Sequence, residues 1–241
     1  MSLFLWVSYG VSLAIGVILA TIAHIAGYRK DPFKVRPNRY FMALGYNFVR
    51  FNPFWEKNFL GLDKVDPDTP TIFVGNHQSF MDMPLLAGLP FDMKWVSKIE
   101  LFKVPVVGWL LKMGGHIGVK RGNKEAIKSL EKIKPYLDER IPVMIFPEGT
   151  RSRKGELKKF KNGAFIVAKK HNYLIQPIVI HGTYDILPPG DWRVKWKGKF
   201  FISILDPIIP SHFETMEQLR DHTCDSFKSE INRLKVLTHS N

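Results

Sequence analysis

The spacing of apolar and polar positions divides the chain into two unlike parts. From Leu3 to Gly27 no residue is charged, a run of about 25 positions against the roughly 20 that a helix needs to cross a bilayer core. Its polar residues (Ser8, Ser12, Thr21 and His24) are scattered among Gly10, Gly16 and Gly27, so the predicted helix has little polarity of its own. A buried core helix would share this composition, but uncharged runs of this length are rare in soluble domains, and a membrane-embedded helix is expected. The pattern fits both a span and a helix lying in one leaflet. Met1-Ser2-Leu3-Phe4 lacks the basic start of a signal peptide. The next segment, Tyr40 to Leu60, is rich in aromatic residues, and Phe41, Leu44, Phe48 and Phe51 recur at helical spacing. It reads as an interfacial helix, or as one packed on the globular part.

Asp66-Pro67-Asp68-Thr69-Pro70 is turn chemistry, and β-prone runs alternate with helical patterns beyond it. Candidate strands are Thr71–Val74, Lys94–Ser97, His116–Val119, Val143–Phe146, Ile175–Ile180 and Phe200–Leu205. Ile127, Leu130, Ile133 and Leu137 form one helical stripe over 124–137, disturbed near its end by Pro135. A shorter helix is expected over Gly163–His171. A long one carries Met216, Leu219, Phe227, Ile231 and Leu234 on one face, with Cys224 on the same apolar stripe as core packing. Strands separated by helices define an α/β layer fold. The expected organisation is residues 1–62 as membrane-attachment helices and 63–241 as an α/β domain.

Charge and cysteine content narrow the setting. A formal net charge of +13 calls for an anionic partner without choosing among nucleic acid, acidic protein, phosphorylated substrate and membrane. Arg29, Lys30, Lys34, Arg36 and Arg39 follow the apolar run with only Asp31 against them; if that run spans, they place the rest of the chain in the cytoplasm, at the inner membrane in a bacterium. Cys224 is the only cysteine, so no internal disulfide forms, which suits a reducing compartment.

Two runs carry chemistry. Thr71–Val74 leads into Gly75-Asn76-His77, a polar edge where α/β sheets place their sites, and Asp82 follows five residues after His77. Five residues on a continuous helix turn about 500°, so the two side chains converge only across a turn. Asp82 would then orient the imidazole of a general base. Asp82 as a helix N-cap and His77 as a loop histidine are the plainer reading. Ser79 stands too close to His77 for a nucleophile–base pair. The second run, Phe146-Pro147-Glu148-Gly149-Thr150-Arg151-Ser152, brings a carboxylate, a glycine and an arginine fork to a strand end, either as an ion pair or as a phosphate site.

Taken together, these runs resemble the glycerolipid acyltransferase family, specifically 1-acyl-glycerol-3-phosphate acyltransferases, over about Thr71 to Pro188. His77 with Asp82 matches the family's His-four-residues-Asp motif, and Phe146–Ser152 its glutamate–glycine motif. The stretch from Ser97-Lys98-Ile99-Glu100 to Pro105 and Gly108 is similar to its lysine/glutamate–proline–glycine stretch. Val119-Lys120-Arg121, Phe160-Lys161-Asn162-Gly163-Ala164 and Ile175-Gln176-Pro177-Ile178 match further family stretches. The resemblance implies a mixed β-sheet flanked by helices. It also implies transfer of a fatty acyl group from an acyl carrier protein or coenzyme A thioester to the sn-2 hydroxyl of lysophosphatidic acid, making phosphatidic acid. By the same resemblance His77 is the base and Asp82 its orienter. Glu148 and Gly149 lie near the acceptor's glycerol, and Arg121, Arg151 and Lys98 hold its phosphate, with no metal, no cofactor and no acyl-enzyme. Membrane phospholipid is the implied surroundings. The rival readings are acylation of glycerol-3-phosphate or another lysophospholipid, and a basic membrane scaffold without turnover. The basic stretch Arg151–Lys161 could grip lipid headgroups, dock an acidic carrier protein or be a solvated loop. A nucleic-acid binder is disfavoured, because the basic residues are interleaved with a membrane anchor and no reader motif is present.

Overall fold

The computed structural model describes residues 2–27, 30–120 and 122–239. Its strands are β1 (Trp55–Leu60), β2 (Thr71–Gly75), β3 (Lys94–Lys98), β4 (Ile117–Val119), β5 (Val143–Ile145), β6 (Leu174–His181) and β7 (Gly198–Ile204). They form one sheet in the order β1-β7-β6-β2-β5-β3-β4. From β6 to β4 all neighbours are parallel, whereas β7 runs against β6 and β1 runs with β7. The sheet is therefore mixed, as the resemblance implies. The helices are α1 (Ser2–Gly27), α2 (Val35–Arg50), α3 (Asp82–Leu86), α4 (Val107–Met113), α5 (Asn123–Leu130), α6 (Lys134–Asp138), α7 (Gly163–His171), α8 (Thr183–Ile186) and α9 (Met216–His239).

Side-chain alternation along the strands builds two cores. Ile72 and Val74 of β2 pack with Val143, Ile175, Leu137, Phe165 and Phe227 on the face covered by α6, α7 and α9. Phe73, one residue between them, points to the other face with Met144, Trp95, Leu85, Phe48 and Val49 under α2 and α3. Burial on both faces explains why β2, β5 and β6 read as nearly unbroken apolar runs. Cys224 is partly buried against the first core, as expected of its stripe.

Two expectations need correction. The stretch 40–60 is not one helix: α2 ends at Arg50, and β1 begins at Trp55 as an edge strand on β7. Pro53 disfavours helical geometry at Asn52, whose side-chain oxygen accepts the Phe54 N–H at 2.9 Å and closes a turn. The sheet thus begins before residue 63, the expected start of the α/β domain. The second correction concerns 124–137, which breaks into α5, a 3-10 turn over Glu131–Ile133 and α6. Pro135 has no N–H to continue the helical ladder there.

Between the two helical layers lies a buried lysine that the strand pattern does not single out. Lys94 Nζ donates to the Lys34 carbonyl at 3.0 Å and the Gly114 carbonyl at 2.8 Å, tying the α1–α2 turn to the end of α4. Burial, foremost, lowers its pKa from 10.5 to about 7. Between those limits the unfolded chain binds a proton that the folded one lacks, so this group adds stability as pH rises and loses it as pH falls toward 7. Replacement by methionine is expected to flatten that slope, seen as a melting temperature that no longer climbs from pH 7 to 9; an unchanged slope rejects the assignment.

Candidate active site

Strand β2 delivers His77 to the carboxyl edge of the parallel strands. Gly75 sits where a Cβ would meet the Met144 methyl at 2.3 Å, so its missing side chain leaves room for that methyl under the strand end. Asn76, fully buried, then extends the sheet with its side chain. Its Nδ2 donates to the Ile180 carbonyl at 2.9 Å and its Oδ1 accepts the Ile180 N–H at 2.8 Å. That pairing fixes the direction in which the chain leaves the sheet.

The turn Gln78–Met81 brings Asp82, the first residue of α3, back to His77. The Asp82 Oδ2 atom receives three donors: the His77 ring at Nδ1, 2.7 Å away, and the N–H groups of Gln78 at 2.7 Å and Ser79 at 2.9 Å. An ionised carboxylate only accepts, so facing it the neutral imidazole carries its hydrogen on Nδ1 and keeps its lone pair on Nε2. Asp82 is 0% exposed whereas the His77 side chain is 19% exposed, so the carboxylate is dry and the imidazole is reachable. The imidazole stacks on Phe146 at 4.3 Å, and Phe146 stacks on Trp95. Ser79 Oγ donates to the Leu187 carbonyl and accepts the Met81 N–H, so it holds the turn.

The second run reaches the same residue from β5. Gly149 has φ +69°, a conformation that glycine adopts without strain, and its N–H closes a turn on the Phe146 carbonyl. This aims Glu148 inward, where it is 3% exposed. Its Oε1 accepts the His77 N–H at 2.8 Å and its Oε2 the Lys158 N–H at 3.0 Å. Ser152 in turn donates its N–H to the His77 carbonyl at 2.8 Å. Both backbone groups of His77 are therefore held by the segment 148–152, and Glu148 straps that histidine to the basic loop. Burial, opposed by the two N–H donors, pushes the Glu148 carboxyl up to about 7.

The structure thus joins His77, Asp82 and Glu148 directly, with Gly149 in the same turn. Arg151 is exposed on the loop above them. Lys98 ends β3 farther along the same edge, its Nζ 3.7 Å from Glu100 Oε2. Arg121 lies outside the described residues. The anchoring by Asn76, the Phe146 ring and the two extra donors on Asp82 escaped the motif reading. The asparagine beside His77 and the phenylalanine before Pro147 were the available signals.

A reachable imidazole with a buried carboxylate behind it, under a basic loop, is an arrangement chemically able to exchange a proton with a bound group. Comparison with known proteins narrows the class: the model of the acyltransferase family matches residues 57–181, just over half of the chain, and the chain belongs to that family. A chloroplastic 1-acyl-sn-glycerol-3-phosphate acyltransferase of Arabidopsis thaliana is 32% identical over 231 residues, covering 95% of this chain and 63% of the relative. A 1-acyl-sn-glycerol-3-phosphate acyltransferase of Helicobacter pylori is 42% identical over 118 residues, 48% of this chain and 50% of the relative. The chain therefore spans less than two thirds of these relatives. The crystal structure of a 1-acyl-sn-glycerophosphate acyltransferase from Thermotoga maritima superposes with a TM-score of 0.80 at 26% identity, covering 97% of this chain and 96% of that one.

Proposed function

We propose that the protein transfers a fatty acyl group from an acyl thioester to the free sn-2 hydroxyl of 1-acyl-glycerol-3-phosphate, making phosphatidic acid. The observation that carries this reading is the commitment of His77 Nδ1 to Asp82, which leaves Nε2 as an accepting lone pair at the sheet edge. In a chain similar along nearly its whole length to enzymes named for this reaction, that lone pair takes the hydroxyl proton. The alkoxide oxygen bonds to the thioester carbonyl carbon, the C–S bond breaks, and the imidazolium returns its proton to the leaving thiolate. Asp82 stabilises the imidazolium meanwhile. Gly149 lies in the wall beside His77, and Arg151, with Lys98 and Arg121, supplies cations for the acceptor's phosphate. The donor is an acyl carrier protein or coenzyme A thioester, both anionic, and the exposed Arg153, Lys154 and Lys159 suit either.

Membrane attachment is part of the same proposal. The α1 helix is the one described helix long and apolar enough to cross a membrane. Yet it touches the domain from its first turn to its last third: Ser2 Oγ accepts the Val194 N–H, the Trp6 indole donates to the Trp192 carbonyl, and Thr21 meets Met113. Trp6 and Tyr9 also pack on Phe80, inside the catalytic turn. A perpendicular span would have to leave those contacts, so the geometry favours a helix lying in one leaflet. Phe4, Val7, Val11, Ile15, Ile18, Ile22 and Ile25 form its exposed face. The basic residues after α1 suit the anionic cytoplasmic leaflet.

The test is turnover by the purified protein on 1-oleoyl-glycerol-3-phosphate in vesicles, with oleoyl-carrier protein and oleoyl-coenzyme A in parallel. Phosphatidic acid should appear at least tenfold faster than acylated glycerol-3-phosphate. Arg151→Ala should raise the acceptor KM about tenfold while leaving that of the donor nearly unchanged, since only one partner loses its arginine fork. Absence of phosphatidic acid with both donors sinks the reading.

A further inference from the structure

The lysine/glutamate–proline–glycine stretch has an exposed tip that the chemistry above does not use. After β3 the chain makes a 3-10 turn over Ile99–Lys103 and enters α4 at Val107. Between them Val106 takes φ 65° and ψ −60°, and the Val107 N–H donates to the Pro105 carbonyl at 2.7 Å, which is a γ-turn. A β-branched residue rarely tolerates this conformation. Gly108 lets the chain return close to the 3-10 turn there, because a Cβ would lie 2.3 Å from the Phe102 carbonyl oxygen. The strained turn does not bury its side chains. Leu101, Val104, Val107 and Trp109 all stand exposed, Trp109 by 57%, with exposed Lys103 and Lys112 beside them.

We propose that this tip, Leu101–Trp109, is a second lipid-contacting element that inserts into the membrane interface beside α1. The proposal rests on the reading of α1 as lying in one leaflet. Three observations choose a bilayer as the occupant. The tip lies beside α1: Thr21 of α1 touches Met113, one helical turn from Trp109 on α4. An uncharged stripe from Phe4 to Ile25 is roughly 30 Å long at 1.5 Å per residue, more than a small loop or peptide covers. Exposed tryptophans also bracket that stripe, Trp109 toward its end and Trp192 toward its start, where Trp6 reaches the Trp192 carbonyl. Indole rings with lysines beside them are headgroup-boundary chemistry, and the lysines match an anionic surface. The tip follows β3, whose carboxyl end shares the sheet edge with His77. Its insertion would turn the mouth of the site toward lipid-borne acceptor.

Two measurements on the full chain decide this. In the first, Leu101→Ser, Val104→Ser and Trp109→Ser are combined. Binding to vesicles of phosphatidylethanolamine and phosphatidylglycerol is measured, with turnover on long-chain lysophosphatidic acid in those vesicles and on a water-soluble hexanoyl analogue without vesicles. Vesicle affinity is expected to fall at least fivefold and vesicle turnover about tenfold, with soluble turnover within twofold of the parent. Unchanged vesicle affinity, or equal losses in both assays, overturns the proposal. In the second, Trp109→Phe, a conservative change, isolates the Trp109 emission by difference. That emission should shift to the blue on adding vesicles and be quenched by lipid brominated high in the acyl chain. No response to vesicles, or a shift that depends on protein concentration without lipid, overturns the proposal, the latter in favour of contact between copies. If the parent protein acylates neither acceptor, the proposed reaction fails while vesicle binding and quenching still judge the tip.

Discussion

Turnover by His77→Ala is expected to fall about 10²–10⁴-fold, the usual worth of a positioned general base, with the acceptor KM little changed. The substitution removes the only ring that Asp82 orients. It leaves the backbone N–H and carbonyl that Glu148 and Ser152 hold, so the fold around the site should persist. Melting temperature and acceptor KM therefore separate chemistry from structure. A variant within threefold of the parent in kcat places the base elsewhere. Asp82→Asn should be at least as damaging, and for two reasons. The amide can present the wrong partner to Nδ1, favouring the tautomer whose proton blocks Nε2. It also brings an N–H₂ to a point where three donors already converge on one oxygen, at 0% exposure, so stability falls as well as rate. Because the two residues act as a unit, the double variant should be no slower than the slower single one.

The pair itself was legible because spacing excluded one geometry and demanded another. Five residues cannot bring two side chains together on a helix, and an apolar strand ending at Val74 supplied the place for a turn. The sheet was legible for a similar reason: strands buried on both faces leave continuous apolar runs, and six of the seven were placed within about two residues, ordinary boundary scatter. The strand β1 was hidden because its aromatics share the period of the helix before it, and only the Asn52-Pro53 turn separates them. Lys94 stood at the start of an expected strand, but no periodicity tells whether a lysine there will be dry. The role of Glu148 was the least accessible. A glutamate before glycine suggests an ion pair or a substrate contact, whereas its oxygens meet backbone N–H groups at His77 and Lys158 that only tertiary folding brings near.

That placement gives Glu148→Gln a sharp expected result: kcat about 10²-fold lower, the scale of an ångström-sized misplacement of the base, and a changed dependence on pH. The carboxylate accepts both N–H groups, but glutamine offers one oxygen and turns a donor toward the other. Burial raises the folded-state pKa of Glu148 from 4.5 to about 7. The folded chain therefore holds a proton that the unfolded chain has lost across that interval. Stability from this group is complete below about 4.5 and is lost as pH rises through 7, by about 3 kcal/mol at 1.36 kcal/mol per unit. Activity should move the other way, because only the ionised carboxylate holds both His77 and the loop at Lys158. The parent should gain kcat on going from pH 6 to 8 while its melting temperature loses ground to the glutamine variant. In that variant the contribution of Glu148 to both trends should disappear. If instead the variant keeps kcat and its pH profile but raises the acceptor KM, Glu148 contacts the acceptor's glycerol directly, and the strap is only structural.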